Sequence, residues 1–465
     1  MAMYKLGVGK WVFIDWSGIE PGYGVRCDGT EGDGFCVPRG VDLKVCAPDV
    51  QRELVIAMDR PWESGPPCYA TFMRDQGMFR CWYEHKNGLG YAESDDGVVW
   101  RKPTLGLREV GGSTENNLVN FSYHGQGIFV DPVALPSERY KMVGCHWSEQ
   151  ERYIPGAVSP DGLHWTPLEA PVLRNQHADT QNTCFYDPHL AQYVLYTRQK
   201  DGRMQRRGVN RSVSDDFRHF PPSEPVLEND PLDPPDWDIY CNGYSRWPEA
   251  PDAHLMRLSM FKHTSDTVDV HLATSRDGRI WHRPQGRTPW IGGVPFSALP
   301  WSSIYACAGI VPTGSGEWLT YLGVSHKGHN DHRKDALGGD LPGLAVARVR
   351  EDGFMSLCSE GRGECWTIPF VLDSDRIRVN VRARYSGFLR CAIEHSAPAE
   401  AGAVVLADSR KAAQGFSLED CDAVTGDHTD GILTWNGSSD LSRLRGRIVR
   451  LRFDLYRADL YSIRF

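Results

Sequence analysis

Apolar and polar residues alternate in short runs along most of the chain, and the runs are separated by clusters of Gly, Pro, Asp and Asn. Alternation over about four to eight residues predicts half-buried strands closed by turns, not helices. The runs come in pairs. Residues 68–73 and 78–84 form the first pair, 127–132 and 140–145 the second, and 179–186 and 192–198 the third. Residues 238–243 with 254–261 and 304–310 with 317–323 complete the series.

A short phrase punctuates these pairs. Ser94-Asp95-Asp96-Gly97-Val98-Val99-Trp100 reads Ser-x-Asp-Gly-x-x-Trp, and it returns at Ser159–Trp165 and at Ser275–Trp281. A degraded copy runs from Ser214 to Phe220, and a fainter one is Arg350-Glu351-Asp352-Gly353-Phe354. A repeat of roughly sixty residues suits one four-stranded blade with long loops. In each copy Asp-Gly supplies a turn with positive φ between the third and outer strands. The Asp is expected to cap that turn and the Trp to pack between blades, a structural role and not a catalytic one.

Five such units predict an all-β fold, a five-bladed β-propeller. Residues 10–14 and 53–57 read as strands and 17–40 as loop, and part of the N-terminal segment is expected to help close the ring. After about residue 372 the phrase disappears. Short, strictly alternating strands at 376–381, 387–393, 432–435, 448–453 and 460–465 predict a small C-terminal β-sandwich. The expected division is therefore 1–372 and 373–465.

Composition sharpens this picture. A chain of 465 residues exceeds one ordinary core, and its 15 Trp with many Gly and Pro fit an all-β protein. The net charge is −9 without a basic stripe, which argues against a nucleic-acid partner. The first twenty residues carry no secretory pattern and no long apolar run is present, so a cytoplasmic protein without a membrane span is expected, a leaderless form of an exported protein being the alternative. The 13 Cys are scattered, several inside apolar strands (Cys81, Cys145, Cys184, Cys307, Cys391), and read as reduced and buried. No phosphate-binding, dinucleotide or nucleophile-elbow motif occurs, and no cofactor is expected.

A five-bladed propeller followed by a small β-sandwich resembles the glycoside hydrolase superfamily of invertases, fructanases and arabinanases (families 32, 43 and 68). The stretch from Tyr91 to Asn117 and the tail from Gly415-Phe416-Ser417-Leu418-Glu419-Asp420-Cys421 to Phe465 are most similar to a bacterial family-32-like group, and that similarity spans nearly the whole chain. The resemblance implies three catalytic carboxylates on inner strands: a blade-one Asp nucleophile, a blade-two Asp stabiliser in Arg-Asp-Pro, and a blade-three Glu acid/base. Phe129-Val130-Asp131-Pro132 is similar to the second motif. Asp179 stands at the third position, as Asp and not Glu. The first motif is absent, since residues 66–69 contain no acid.

Inner strands lead to a central pocket, so residues at their starts converge there. These are Tyr69, Asp131, Asp179, Asp238 and Tyr305. Glycoside cleavage requires two carboxyls flanking the bond, one donating a proton and one acting as base or nucleophile. Asp131, Asp179 and Asp238 are the leading candidates, with Glu84 and Glu63 as substitutes for the missing blade-one acid. The plain reading of each is a turn cap or a solvated strand end. Polar inner strands mark Gln181 and Asn242, with Tyr240, as ligand-facing. Arg198 either forks onto a carboxylate or sugar, or pairs with Asp179. His146, Trp147 and His263 end equivalent strands and would line the rim. His326 opens the stretch His326-Lys327-Gly328-His329-Asn330-Asp331-His332, whose spacing matches no specific metal signature and reads as a pocket rim.

The function expected is a glycoside hydrolase acting on a carbohydrate, with furanosides among the candidate substrates. A non-catalytic carbohydrate-binding propeller and a polysaccharide lyase using Tyr69, Tyr240 or Tyr305 are the alternatives. The repeated phrase also resembles the sialidase Asp box, but no arginine triad is evident.

Overall fold

The computed structural model describes residues 6–7, 9–21, 38–65, 67–199, 206–293, 299–331, 341–395 and 411–465. The chain forms two compact units, Ala47–Arg350 and the pair of segments Met1–Cys46 with Glu351–Phe465.

The larger unit is a five-bladed β-propeller. Blade one is Ala70–Asp75, Met78–His85, Gly88–Ser94 and Trp100–Arg101 in antiparallel order. Blade two is His124–Val130, Tyr140–Trp147, Gly156–Ser159 and Thr166–Pro167, extended by Arg152–Ile154 and Leu173–Arg174. Blade three is Thr183–Asp187, Gln192–Gln199, Gly208–Ser214 and Glu224–Leu227. Blade four is Trp237–Cys241 with Tyr244–Arg246, then His254–Lys262 and Thr267–Ser275, edged by a bridge from Thr274 to His282. Blade five takes Ser303–Pro312, Glu317–Ser325 and Gly343–Arg350 from late in the chain and Asp49–Ala57 from its beginning, Leu344 facing Ile56.

The repeated phrase has one geometry in its three full copies. Asp96, Asp161 and Asp277 each accept, on Oδ1, the backbone N–H groups two and three residues ahead, at 2.8–2.9 Å. The Ser hydroxyl donates to the same carboxylate and accepts the Gly N–H at 2.9 Å. The Trp indole donates back to the Gly carbonyl at 2.9–3.2 Å. That carbonyl also accepts a bond from the preceding blade: from Trp82 Nε1 to Gly162 at 2.7 Å, from Tyr196 to Gly278 at 2.7 Å and from Tyr321 to Gly97 at 2.8 Å. Glycine is required at Gly162 on two counts. Its φ is +81°, and a Cβ would lie 2.7 Å from the Trp82 ring.

The apolar core of the propeller is a ring of layers between blades. One layer stacks Phe72 of blade one on Tyr321 of blade five, with centroids 3.6 Å apart. Another packs Trp82 and Tyr91 of blade one against Ile128, Tyr140, Met142 and Trp165 of blade two. Each such large side chain, once buried, contributes about 1.5–3 kcal/mol.

The smaller unit is the β-sandwich, built from both ends of the described chain. Its long strands Arg378–His395 and Ile448–Arg464 pair over nearly their whole length and curl at bulges. Met355–Trp366 pairs with Ile448–Arg464 and with Asp42–Val45, while Lys10–Val12 and Phe370–Val371 add to the same central strand. The boundary therefore falls after Arg350 and not at 372/373, and residues up to 46 lie with the sandwich. Alternation alone does not say which sheet a strand joins. The fifth copy of the phrase marks this exit. It lacks the Ser and the Trp, and Asp352 is buried, accepting Lys10 Nζ at 3.0 Å and the Ser462 hydroxyl at 2.7 Å.

Asp161→Ala removes a carboxylate that accepts two backbone N–H groups and is expected to lower unfolding free energy by about 1–2 kcal/mol, read by urea titration. Gly162→Ala is expected to cost more, because strain at positive φ adds to the clash with Trp82.

Candidate functional site

A cavity of about 610 Å³ opens at the mouth where the inner strands begin, lined among others by Tyr69, Glu84, His124, Asp179, Tyr240, Tyr305 and His329. Three strands bring its central group together. Glu84 is the penultimate residue of the second strand of blade one, His124 opens the inner strand of blade two, and Asp179 lies on the approach to blade three. His124 Nδ1 is 2.6 Å from Glu84 Oε1, and its Nε2 is 3.0 Å from Asp179 Oδ1. Glu84 also accepts the Gly125 N–H at 2.8 Å and Gln126 Nε2 at 3.1 Å. One imidazole thus bridges two carboxylates at the base of an open pocket.

The electrostatics follow from these partners. Burial pulls His124 down, but the hydrogen bonds it donates to Asp179 and Glu84 outweigh it and raise the imidazole to about 9. Burial pushes Asp179 up, yet His124 and then Arg198 hold it below the usual carboxylate value. The other two imidazoles behave oppositely. Burial lowers His85 and His329 each to about 4. The pocket therefore holds one charged and two neutral histidines at neutral pH.

An aromatic wall faces this group. The Tyr69 and Tyr240 hydroxyls are 2.6 Å apart, and Tyr305 Oη lies 2.6 Å from His329 Nδ1. Tyr69 meets the His124 ring edge-on at 5.2 Å, and Trp147, 45% exposed, also meets it edge-on, at 5.0 Å. Burial pushes all three phenols well up. The guanidinium carbons of Arg198 and Arg207 lie 5.1 and 5.5 Å from the Tyr240 ring centroid. Arg198 is buried and its Nη1 is 3.7 Å from Asp179 Oδ2.

Of the carboxylates expected from sequence, Glu84 and Asp179 line the pocket. Asp238 is not among the lining residues; it is buried, held by His263 Nε2 at 2.8 Å and the Arg207 N–H at 3.0 Å. Asp131 does not reach the pocket. It follows the far end of its strand, where it caps Val133, accepts the Tyr193 hydroxyl at 2.7 Å and pairs with Lys141 at 3.5 Å. Glu63 is likewise structural, buried between Tyr83 at 2.7 Å, Lys102 at 2.7 Å and the Arg60 N–H at 3.0 Å.

Gln181 and Asn242 are buried ties and not ligand-facing groups. The Gln181 amide donates to Ala70 and Gln126 carbonyls of two other blades, and Asn242 accepts from Thr183 and the Tyr244 N–H. His146 is exposed and stacks on Tyr153 at 4.5 Å, away from the lining residues. In the stretch from His326, it is His329 that lines the pocket, while His332 lies outside the described residues. Among the described residues no cluster of three or more His, Cys, Asp or Glu is arranged to hold a metal. No described helix is long and apolar enough to cross a membrane.

The residue missed by sequence reasoning is His124. It precedes Gly125-Gln126-Gly127, and the expected strand begins only at Gly127, which leaves His124 outside it. Those glycines are the mark of a tight axis: a Cβ at Gly125 would sit 2.2 Å from the Thr180 carbonyl oxygen of the next blade.

No family model matches the chain, and no curated protein matches it. Several solved structures are similar to it. One described as a glycoside hydrolase shares 14% identity over 66% of this chain and 92% of its own, with a TM-score of 0.43. A second, from a study of the family 130 mannoside phosphorylases and of glycoside hydrolases among them that target β-1,2-mannosidic linkages in Candida mannan, shares 14% over 66% and 94%, with a TM-score of 0.44. The family 93 α-L-arabinofuranosidase of Fusarium graminearum, in complex with arabinobiose, shares 13% over 65% and 98%, with a TM-score of 0.40.

In a histidine-resolved NMR titration, His124 is expected to titrate near 9 and His85 and His329 near 4. Because the folded value of His124 lies above the unfolded one of about 6.5, its stabilising contribution is full below that pH and is lost as pH rises toward 9. Asp179 behaves oppositely, contributing above its unfolded value and losing that contribution as pH falls through its lower folded one. Glu84→Gln is expected to flatten the alkaline limb of a stability profile measured by thermal unfolding.

Proposed function

We propose that the chain is a glycoside hydrolase whose carboxylate pair is Glu84 and Asp179. The observation that carries this reading is the imidazole bridge, which sets two carboxylates at a fixed distance in a pocket with aromatic walls. Two carboxylates separated by one imidazole and two hydrogen bonds match the wider spacing, about 6.5–9.5 Å, that leaves room for a water and inverts the anomeric centre.

Asp179 is the more exposed partner, 46% against 17% for the Glu84 side chain, and so is the one that meets the glycosidic oxygen. The His124 imidazolium supplies the proton: Nε2–H passes through Asp179 to the departing oxygen in one concerted movement as the glycosidic bond breaks, so that Asp179 stays ionised at rest and His124 is left neutral. Glu84, anchored by Gly125 and Gln126, accepts a proton from the water that attacks the anomeric carbon. The arrangement departs from the invertase pattern, because Tyr69 stands at the inner-strand start of blade one, where that family supplies its nucleophilic Asp. A lyase with a tyrosine base fits less well, since burial makes the Tyr69, Tyr240 and Tyr305 phenols harder to ionise.

On a substrate found by screening furanosides and pyranosides, Glu84→Gln and Asp179→Asn are each expected to lower kcat by about a hundredfold or more with the fold intact by circular dichroism. Asp131→Asn is expected to lower stability and to spare kcat. NMR of the first-formed anomer is expected to show inversion. Binding of glycans without product release by the wild-type protein would instead establish a non-catalytic carbohydrate-binding propeller.

A further inference from the structure

The pocket that holds Glu84 and Asp179 also carries positive charge that no described residue balances. Lys86 and Arg108 line it, and neither side chain has a carboxylate or a hydrogen-bond acceptor among the described residues. Surface cations are commonly solvated, so their lack of partners alone says little. Their setting says more. The two lining carboxylates are already engaged by His124, so Lys86 and Arg108 remain as uncompensated charges in a chain of net charge −9.

Arg108 is also seated. Its guanidinium packs against Gly88, where a Cβ would lie 2.6 Å from Nη1 and where φ is +139°. Glycine at this turn therefore leaves room for the guanidinium. Lys86 lies in the turn that follows the strand of Glu84, and Arg108 packs against Gly88 at the end of that turn. Arg198, which is not among the lining residues, adds to the same potential. The Arg198 side chain is 3% exposed, and its Nε and Nη2 are buried without a hydrogen-bond partner among the described residues. It lies 5.1 Å from the ring centroid of Tyr240, itself a lining residue.

Unpaired cations lining a cavity are satisfied by an anion. We propose that this pocket binds an oxyanion at Lys86 and Arg108, either the carboxylate or sulfate of an acidic sugar or free phosphate. The inference deepens the hydrolase reading by naming an acidic glycan as substrate, and it rests on that reading only for turnover, not for binding.

The test measures binding to the whole protein by calorimetry, with glucuronate, glucose and inorganic phosphate as probes. Glucuronate is expected to bind at least about tenfold more tightly than glucose, as loss of one charge-assisted contact would predict. Lys86→Ala with Arg108→Ala is expected to erase that preference, and Gly88→Ala to weaken it by displacing Arg108. Phosphate binding that the same double variant abolishes, without a preference for glucuronate, would assign the site to free phosphate. Equal binding of glucuronate and glucose with no phosphate binding overturns the proposal. So does a preference that the double variant, shown folded by circular dichroism, leaves unchanged. Because none of these readouts needs catalysis, an inactive Glu84→Gln protein that still prefers glucuronate would separate this inference from the hydrolase reading.

Discussion

The ring depends on the carbonyl oxygen of a glycine. In three of the blades the Gly of the Ser-x-Asp-Gly turn presents its C=O to two donors, its own Trp indole and an aromatic side chain from the preceding blade. A carbonyl has two lone pairs, and both are used. The local turn and the contact between blades are thereby the same interaction. If the Asp did not fix the turn, the carbonyl would not point at the neighbouring blade, and the apolar layers beneath it would lose their register.

The third-to-fourth and first-to-second junctions share this latch, and so does the closure from blade five to blade one. Between blades two and three, where Phe217 replaces Gly, the contact is of a different kind. Lys141 Nζ lies 5.1 Å from the Phe217 ring centroid and pairs with Asp131 and Glu138. Asp131 thus serves the frame at a junction without the glycine latch.

This explains what the sequence reveals and what it hides. The frame was legible because a hairpin is local: Asp, Gly and Trp lie within six residues, and their spacing alone implies the turn. Tyr69, Asp179, Tyr240 and Tyr305 were legible for a related reason, since counting from the frame finds the starts of the inner strands. The errors come from polar residues near the axis. Gln181, Asn242 and Glu63 are polar, but each has a partner far off in sequence (Ala70, Thr183 and Tyr83 respectively), and no local pattern distinguishes a buried tie from a wet surface. His124 was hidden by the opposite effect. Glycines that allow neighbouring inner strands to touch resemble the glycines of a loop, and only the contact with Thr180 tells them apart. The domain boundary was misplaced because a strand's alternation does not record its partner.

The pairing of Asp49–Ala57 with Gly343–Arg350, and of Lys10–Val12 with Ile448–Arg464, has a consequence for synthesis. Both early strands emerge from the ribosome long before the strands that complete them. The nascent chain therefore carries two unpaired edges throughout elongation, while blades one to four form locally behind them. The propeller is released from this state first, when residue 350 has emerged. The sandwich must wait for the last strand, so its first segments are the longest-lived aggregation hazard in the life of the chain.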